Sequence, residues 1–444
     1  MRKGEGSDVR EPLVRREREM GFAAQMQVMP QAYPIPASTL TGRTLGQTRC
    51  PLVGFRRRRG HTLNETGKPK RILDEAMRNE TWVTLMSEDQ RIQDSETRKL
   101  GVFPCPGLPP SDPVPTSVHR LRPSDIKVVA AIGDSYSTAR AGGGISPINM
   151  LFDYRGNSWS IGGDQDYDFH TSMPNILREY NANLYGYSKS IGDCQRNLNE
   201  AIIGARSRGF ANQATSLVTK LKQDPNVDFE NDWKLITVFL GGNDLCVYCL
   251  FDLTAAAYTR NLRRGLDILY ANIPRAFINL VVVMHVGLTQ TLHNGLISTI
   301  MLRLACPCGA FPKSQEANTK LGEYTEAYQQ AVLDLAASGL YDTDNFTVVA
   351  QPFYQNITIP YKDNGELDYS FFAIDRFHIS KRGHSVSGRS LWNNMFEPVG
   401  NKTTQVDWYD TEIVCPTEEF PFLFTNQNSD VADYAPYRMK LNSN

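Results

Sequence analysis

Residues 126–137 read IKVVAAIGDSYS, a near-continuous apolar run that breaks at Gly133 and delivers a serine two residues later. Three further runs have the same texture: 235–240 (LITVFL), 280–286 (LVVVMHV) and 346–351 (FTVVAQ). Between them lie stretches with apolar residues at i, i+3 and i+4, as in 212–221 (NQATSLVTKL), 261–273 (NLRRGLDILYANI) and 323–337 (EYTEAYQQAVLDLAA). Short strands that are apolar on both faces, alternating with amphipathic helices, specify a parallel sheet covered on each side. No segment repeats at the period of a solenoid. The reading is one α/β domain over 102–420, after a basic N-terminal extension over 1–101 and before a C-terminal tail over 421–444.

The chain has 444 residues, 47 Lys plus Arg against 48 Asp plus Glu, and 41% hydrophobic residues. A net charge of −1 excludes a polycation built for nucleic acid, and the composition is that of a folded protein. The charge is uneven, because residues 1–100 hold 19 basic and 13 acidic side chains and leave 28 against 35 for the remainder. Those first residues show no sustained helical or strand period, so they read as a disordered extension. No run approaches the roughly 18–20 apolar residues that a spanning helix needs.

In open α/β sheets, active sites form beyond the carboxyl ends of the strands. Three groups of chemistry-bearing residues sit at such ends. Ser135 follows the first strand, where Gly133 permits a tight turn and backbone N–H groups point outward; Gly-Asp-Ser is also an ordinary N-cap sequence. Asn243, in LITVFLGGNDLC, follows a second strand and a glycine pair; it suits an oxyanion donor or a simple turn. Asp375 and His378, in 370–384 (SFFAIDRFHISKRGH), are spaced so that the carboxylate can hold one imidazole nitrogen and leave the other for a hydroxyl. His384 has no such partner at that spacing.

The joint order is more specific than any member. A serine after the first strand, Gly204 in LNEAIIGARS, Asn243 after a glycine pair and a late Asp-x-x-His resemble the SGNH, or GDSL-type, hydrolases. Longer segments, among them YRGNSWSIGGD, MPNILREYN, DWKLITVFLGGNDLCVYC and LWNNMFEPVGNKTT, look like the membrane-associated phospholipase B family across roughly residues 103–425. The resemblance implies a flavodoxin-like, three-layer α/β/α fold and a serine esterase that needs neither calcium nor any cofactor or metal. It implies Ser135 as nucleophile, His378 as base and Asp375 as its orienter, with Ser135, Gly204 and Asn243 as the oxyanion hole. The implied substrates are phospholipids and lysophospholipids at a membrane or micelle surface. Two positions depart from the family: Tyr136 stands where Leu is usual, and Arg376 where Cys is common. A sugar or short-chain esterase on the same core, and an inactive lipid-binding relative, are the competing readings.

Cys246-x-x-Cys249 and Cys306-x-Cys308 read as disulfide partners rather than a zinc site, since one pair has only a single intervening residue. Cys105 and Cys415 flank the domain and are placed to tie its ends, which leaves Cys50 and Cys194 as leftovers. Cysteines and five sequons (Asn64, Asn79, Asn345, Asn356, Asn401) point to a secreted or cell-surface protein. The N-terminus has no apolar leader and the tail no anchor, so a misassigned first exon or a fragment of a longer chain is expected.

Overall fold

A computed structural model describes residues 101–429, apart from 145–148, 252 and 293–295. The expected N-terminal extension and Cys50 lie outside the described residues. Four strands, β1 (Ile126–Gly133), β2 (Trp233–Phe239), β3 (Ala276–Val281) and β4 (Phe346–Gln351), form one parallel sheet in the order β1-β2-β3-β4. The free edge of β1 is met by two isolated parallel bridges, Val128 to Tyr185 and Ala131 to Asn199. That segment occupies the place of a strand beyond β1, as in the flavodoxin-like order, and puts the topological switch point beside β1.

The helices divide accordingly. Among them are α1 (Met173–Tyr180), α2 (Phe210–Gln223), α3 (Gly242–Cys246), α4 (Ala255–Asn272), α5 (Gln315–Ala337) and α6 (Lys381–Met395). Alternate residues of each strand serve opposite faces. Ile132, Val238, Ile278 and Val348 pack with Leu217 of α2, Leu262 of α4 and Val332 of α5. Val129, Leu235, Phe277 and Val349 pack with Ile176 of α1 and Trp392 of α6. All seven residues of β2 are buried, which is why five of them are apolar rather than alternating with polar ones; buried Lys234 and Thr237 are the exceptions. The architecture is the three-layer α/β/α sandwich.

β3 departs from its expected position, beginning at Ala276 and ending at Val281 rather than spanning 280–286. The excess apolar residues remain buried beyond the strand: Val282 donates its N–H to the Gln351 carbonyl at 3.1 Å, and Val286 starts a 3-10 turn. The packed chain also passes the expected end at 420. Leu423 N–H donates to the Leu121 carbonyl and Phe424 N–H to that of Met395, each at 2.9 Å. Cys105 is bonded to Cys415, and the four-cysteine cluster forms Cys246–Cys306 and Cys249–Cys308. Cys194, read as a leftover, is itself disulfide-bonded. Nothing in its surroundings within the sequence, a polar loop, marked it for a bridge.

Gly265 marks the contact between α2 and α4, since a Cβ there would fall inside the Phe210 ring. In an ordinary helix interior, Gly→Ala stabilises by about 1 kcal/mol. Here Gly265→Ala is expected to lower stability by about 1–3 kcal/mol through overpacking, read as a lower Tm. A raised Tm would contradict the close approach.

Candidate active site

At the end of β1, Gly133 has no room for a side chain, because a Cβ would meet Ser137. Gln213 of α2 closes the strand end with its amide, accepting from Gly133 N–H and donating to Gly133 carbonyl, both at 2.9 Å. The chain then turns: the Asp134 carbonyl accepts from the N–H groups of Ser137 and Thr138, each at 3.1 Å. Ser135 lies in this turn, only 4% exposed. Its N–H and that of Gly204 have no acceptor among the described residues. Gly204 adopts φ +69°, a left-handed conformation suited to glycine.

Two residues beyond β2 stands Gly241, whose φ of +128° and contact with the Tyr258 ring exclude a larger residue. The turn aims Asn243, at the start of α3, back toward β1. The Asn243 amide donates to Asp134 Oδ2 and to the Ala205 carbonyl, both at 3.1 Å. Next to it, Asp244 accepts from Ser207 N–H at 2.8 Å and from Ser207 Oγ at 2.7 Å. The three loops holding Ser135, Gly204 and Asn243 are thus joined by side-chain hydrogen bonds.

Asp375 and His378 sit in a tight turn before α6. His378 Nδ1 lies 2.6 Å from Asp375 Oδ2, while Oδ1 accepts from the N–H groups of Phe377 and His378 at 3.0 and 2.9 Å. Arg376 takes φ +56° between them, and its guanidinium stacks 4.2 Å from the Tyr369 ring centre. His378 Nε2 is buried and makes no hydrogen bond among the described residues. Tyr136, beside the serine, reaches across to this turn; its hydroxyl donates to the Phe377 carbonyl at 3.2 Å. The Tyr136 and His378 rings stand 5.8 Å apart. His384 lies elsewhere, on α6, where Nδ1 accepts from Trp159 N–H at 3.4 Å. Burial, with His170 and His378 nearby, holds it well below the usual imidazole range.

Two carboxylates have opposite electrostatics. Burial pushes Asp134 up to about 7, despite the Tyr136 N–H, the His378 charge and the Asn243 amide. Burial also opposes ionisation of Asp375, but His378 and the two N–H donors outweigh it and hold the group below its ordinary value.

Ser135 opens onto a cavity walled by Tyr136, Phe239, Met284, Leu288, Leu292, Tyr354, Ile357, Phe372, Phe377 and Trp408. Its polar lining consists of Asp134, Ser135, Asn243, His285, Thr289 and Thr358, besides the hydroxyls of Tyr136 and Tyr354. Sequence reasoning missed this wall. The signal was present in 277–288, an apolar run longer than one strand requires.

A family model described as GDSL-like Lipase/Acylhydrolase matches residues 129–391. The chain belongs to that family. Membership makes this GDSL-like domain a carboxylic ester hydrolase by class. "Phospholipase B1, membrane-associated" of Mus musculus is 43% identical over 347 residues, covering 74% of this chain and 23% of that protein. The Homo sapiens protein of the same name is 42% identical over 369 residues, covering 79% and 25%. The chain therefore spans about a quarter of the length of these relatives. The resemblance to phospholipase B read from the sequence is borne out by them. Among the described residues, no helix is long and apolar enough to cross a membrane.

Asp134 also generates a pH dependence. Its folded-state value, about 7 against 3.8, means that the folded state binds the extra proton between those limits. Stability contributed by this group therefore falls as pH rises from about 4 to about 7. Asp134→Asn removes the titration, so the Tm of the variant minus that of the parent is expected to grow across this window. A gap that is flat with pH would refute the assignment.

Proposed function

We propose that this domain is a serine hydrolase that removes long acyl chains from phospholipids and lysophospholipids. One observation carries the reading: the cavity beside Ser135 is walled by aromatic and aliphatic side chains, a match for a hydrocarbon chain and a poor one for a sugar. Burying each methylene there stabilises by roughly 0.8 kcal/mol, so chain length is rewarded. A lipid acyl group also fits the similarity to phospholipase B relatives better than an acetyl ester does.

Ser135 Oγ attacks the acyl carbonyl while His378 Nε2, the unpartnered nitrogen, takes its proton. Asp375 fixes the tautomer by accepting from Nδ1 and stabilises the imidazolium that forms. The leaving alcohol takes the proton from His378, and water then cleaves the acyl-enzyme with His378 again as base. The oxyanion is met by the unclaimed N–H groups of Ser135 and Gly204. Asn243 serves as third donor by sharing a hydrogen now directed at Asp134 or Ala205. Every step uses side chains and backbone of this chain, so calcium independence is part of the proposal. Secretion or display at a cell surface fits the disulfides.

The test is fatty-acid release from mixed micelles of phosphatidylcholine and of its lyso form, with chelator present. Release is expected from the parent, background rates from Ser135→Ala, and a kcat roughly 10²–10³-fold lower for Asn243→Ala. Cleavage of acetyl esters without release of long chains would move the reading to a small-ester or sugar esterase. Failure of a fluorophosphonate to label Ser135 would favour a lipid-binding relative without turnover.

A further inference from the structure

In three pairs of adjacent apolar residues both members are exposed: Leu151 with Phe152, Ile202 with Ile203, and Leu250 with Phe251, all at 45–55%. No other adjacent pair of large apolar side chains is exposed among the described residues. Single exposed apolar residues are ordinary, whereas a concentration of them marks an interaction surface.

Each pair belongs to a segment tied to the active site. Phe152 carbonyl accepts from Ala141 N–H at 3.0 Å, and the neighbouring Arg140 N–H donates to Ser135 carbonyl at 3.0 Å. Ile202 N–H donates to Gly133 carbonyl at 3.1 Å, two residues before Gly204. Leu250 follows the Cys249–Cys308 bridge, and the Arg206 guanidinium lies 4.7 Å from the Phe251 ring centre. The three pairs thus gather at the carboxyl end of the sheet, around Ser135.

The charges beside them select the partner. Arg140 and Arg155 are paired with Asp153. Arg208 is exposed, Arg206 is buried beneath the Phe251 ring, and neither forms a salt bridge among the described residues. A two-fold dimer through this face would bring like charges together. Phosphate groups above a hydrocarbon layer complement both features.

We infer that this rim docks on a phospholipid surface, with the apolar pairs entering the acyl boundary and the exposed Arg208 meeting phosphates. The inference rests on the lipid-hydrolase reading for its purpose, but its test does not depend on turnover.

The probe is vesicles of four parts phosphatidylcholine to one part phosphatidylserine, sedimented with the full chain carrying Ser135→Ala. Ile202→Ser with Ile203→Ser, and Leu250→Ser with Phe251→Ser, are each expected to weaken partitioning roughly tenfold, with thermal melting kept. Arg208→Gln is expected to reduce the salt-sensitive part of binding, with thermal melting kept. Absence of vesicle binding, or binding that none of these variants weakens, overturns the inference. So does a shift in self-association, seen by sedimentation velocity, with partitioning unchanged. Rim-dependent binding by a chain that hydrolyses no lipid keeps the surface and defeats the hydrolase reading. Turnover of monomeric lysophospholipid with rim-independent binding does the reverse.

Discussion

The Asn243 amide, held between the Asp134 carboxylate and the Ala205 carbonyl, is the contact on which the site depends. Ser135, Gly204 and Asn243 come from separate stretches of chain, and a parallel sheet aligns only the strands. The loops beyond the strand ends need their own connection. Here it is made with hydrogen bonds that run from loop to loop, reinforced by Ser207 on Asp244 and by Gln213 on Gly133. The cost is a buried carboxyl group at Asp134, which burial drives toward its neutral form.

The histidine is prepared in a different way, by a turn of four residues. Asp375 satisfies two backbone donors with one oxygen and the imidazole with the other. The left-handed Arg376 folds the chain tightly enough for all three contacts. That conformation costs a non-glycine residue of order 1 kcal/mol. Stacking of its guanidinium on Tyr369 offsets part of that cost. Ser380 then caps α6, accepting from Gly383 N–H at 3.2 Å, so the turn is anchored at a helix start.

Much of this was legible in the sequence, for physical reasons. Strands buried on both faces must be apolar throughout, so β1, β2 and β4 announce themselves. Helices against them must repeat at 3.6, as 212–221 does within α2. Other features left weaker marks. The edge beyond β1 is held by isolated bridges at Tyr185 and Asn199, with no apolar run to show it. The stretch after β3 is apolar because it walls a cavity, and composition cannot separate that duty from a strand's. Inside the sheet layer, Gln351 donates to Asn279 at 2.7 Å, a buried polar pair that breaks the pattern without breaking the fold. The site residues were readable as a set because chemistry fixes their types; that both hydrogens of Asn243 are engaged was not.

The paired bridges Cys246–Cys306 and Cys249–Cys308 have a mechanical consequence. One bridge between two segments is a pivot, about which they can rotate. Two bridges side by side, three and two residues apart along their segments, make a plate that resists both separation and twist. Asn243 and the Cys246 side of the cavity therefore ride on one stiff body. The opposite wall, with Tyr354, Phe372, Phe377 and Trp408, has no covalent tie to it among the described residues. Under the proposed lipid reading, differences in acyl-chain girth would fall on that untied side, while Asn243 keeps its place on the stiff one.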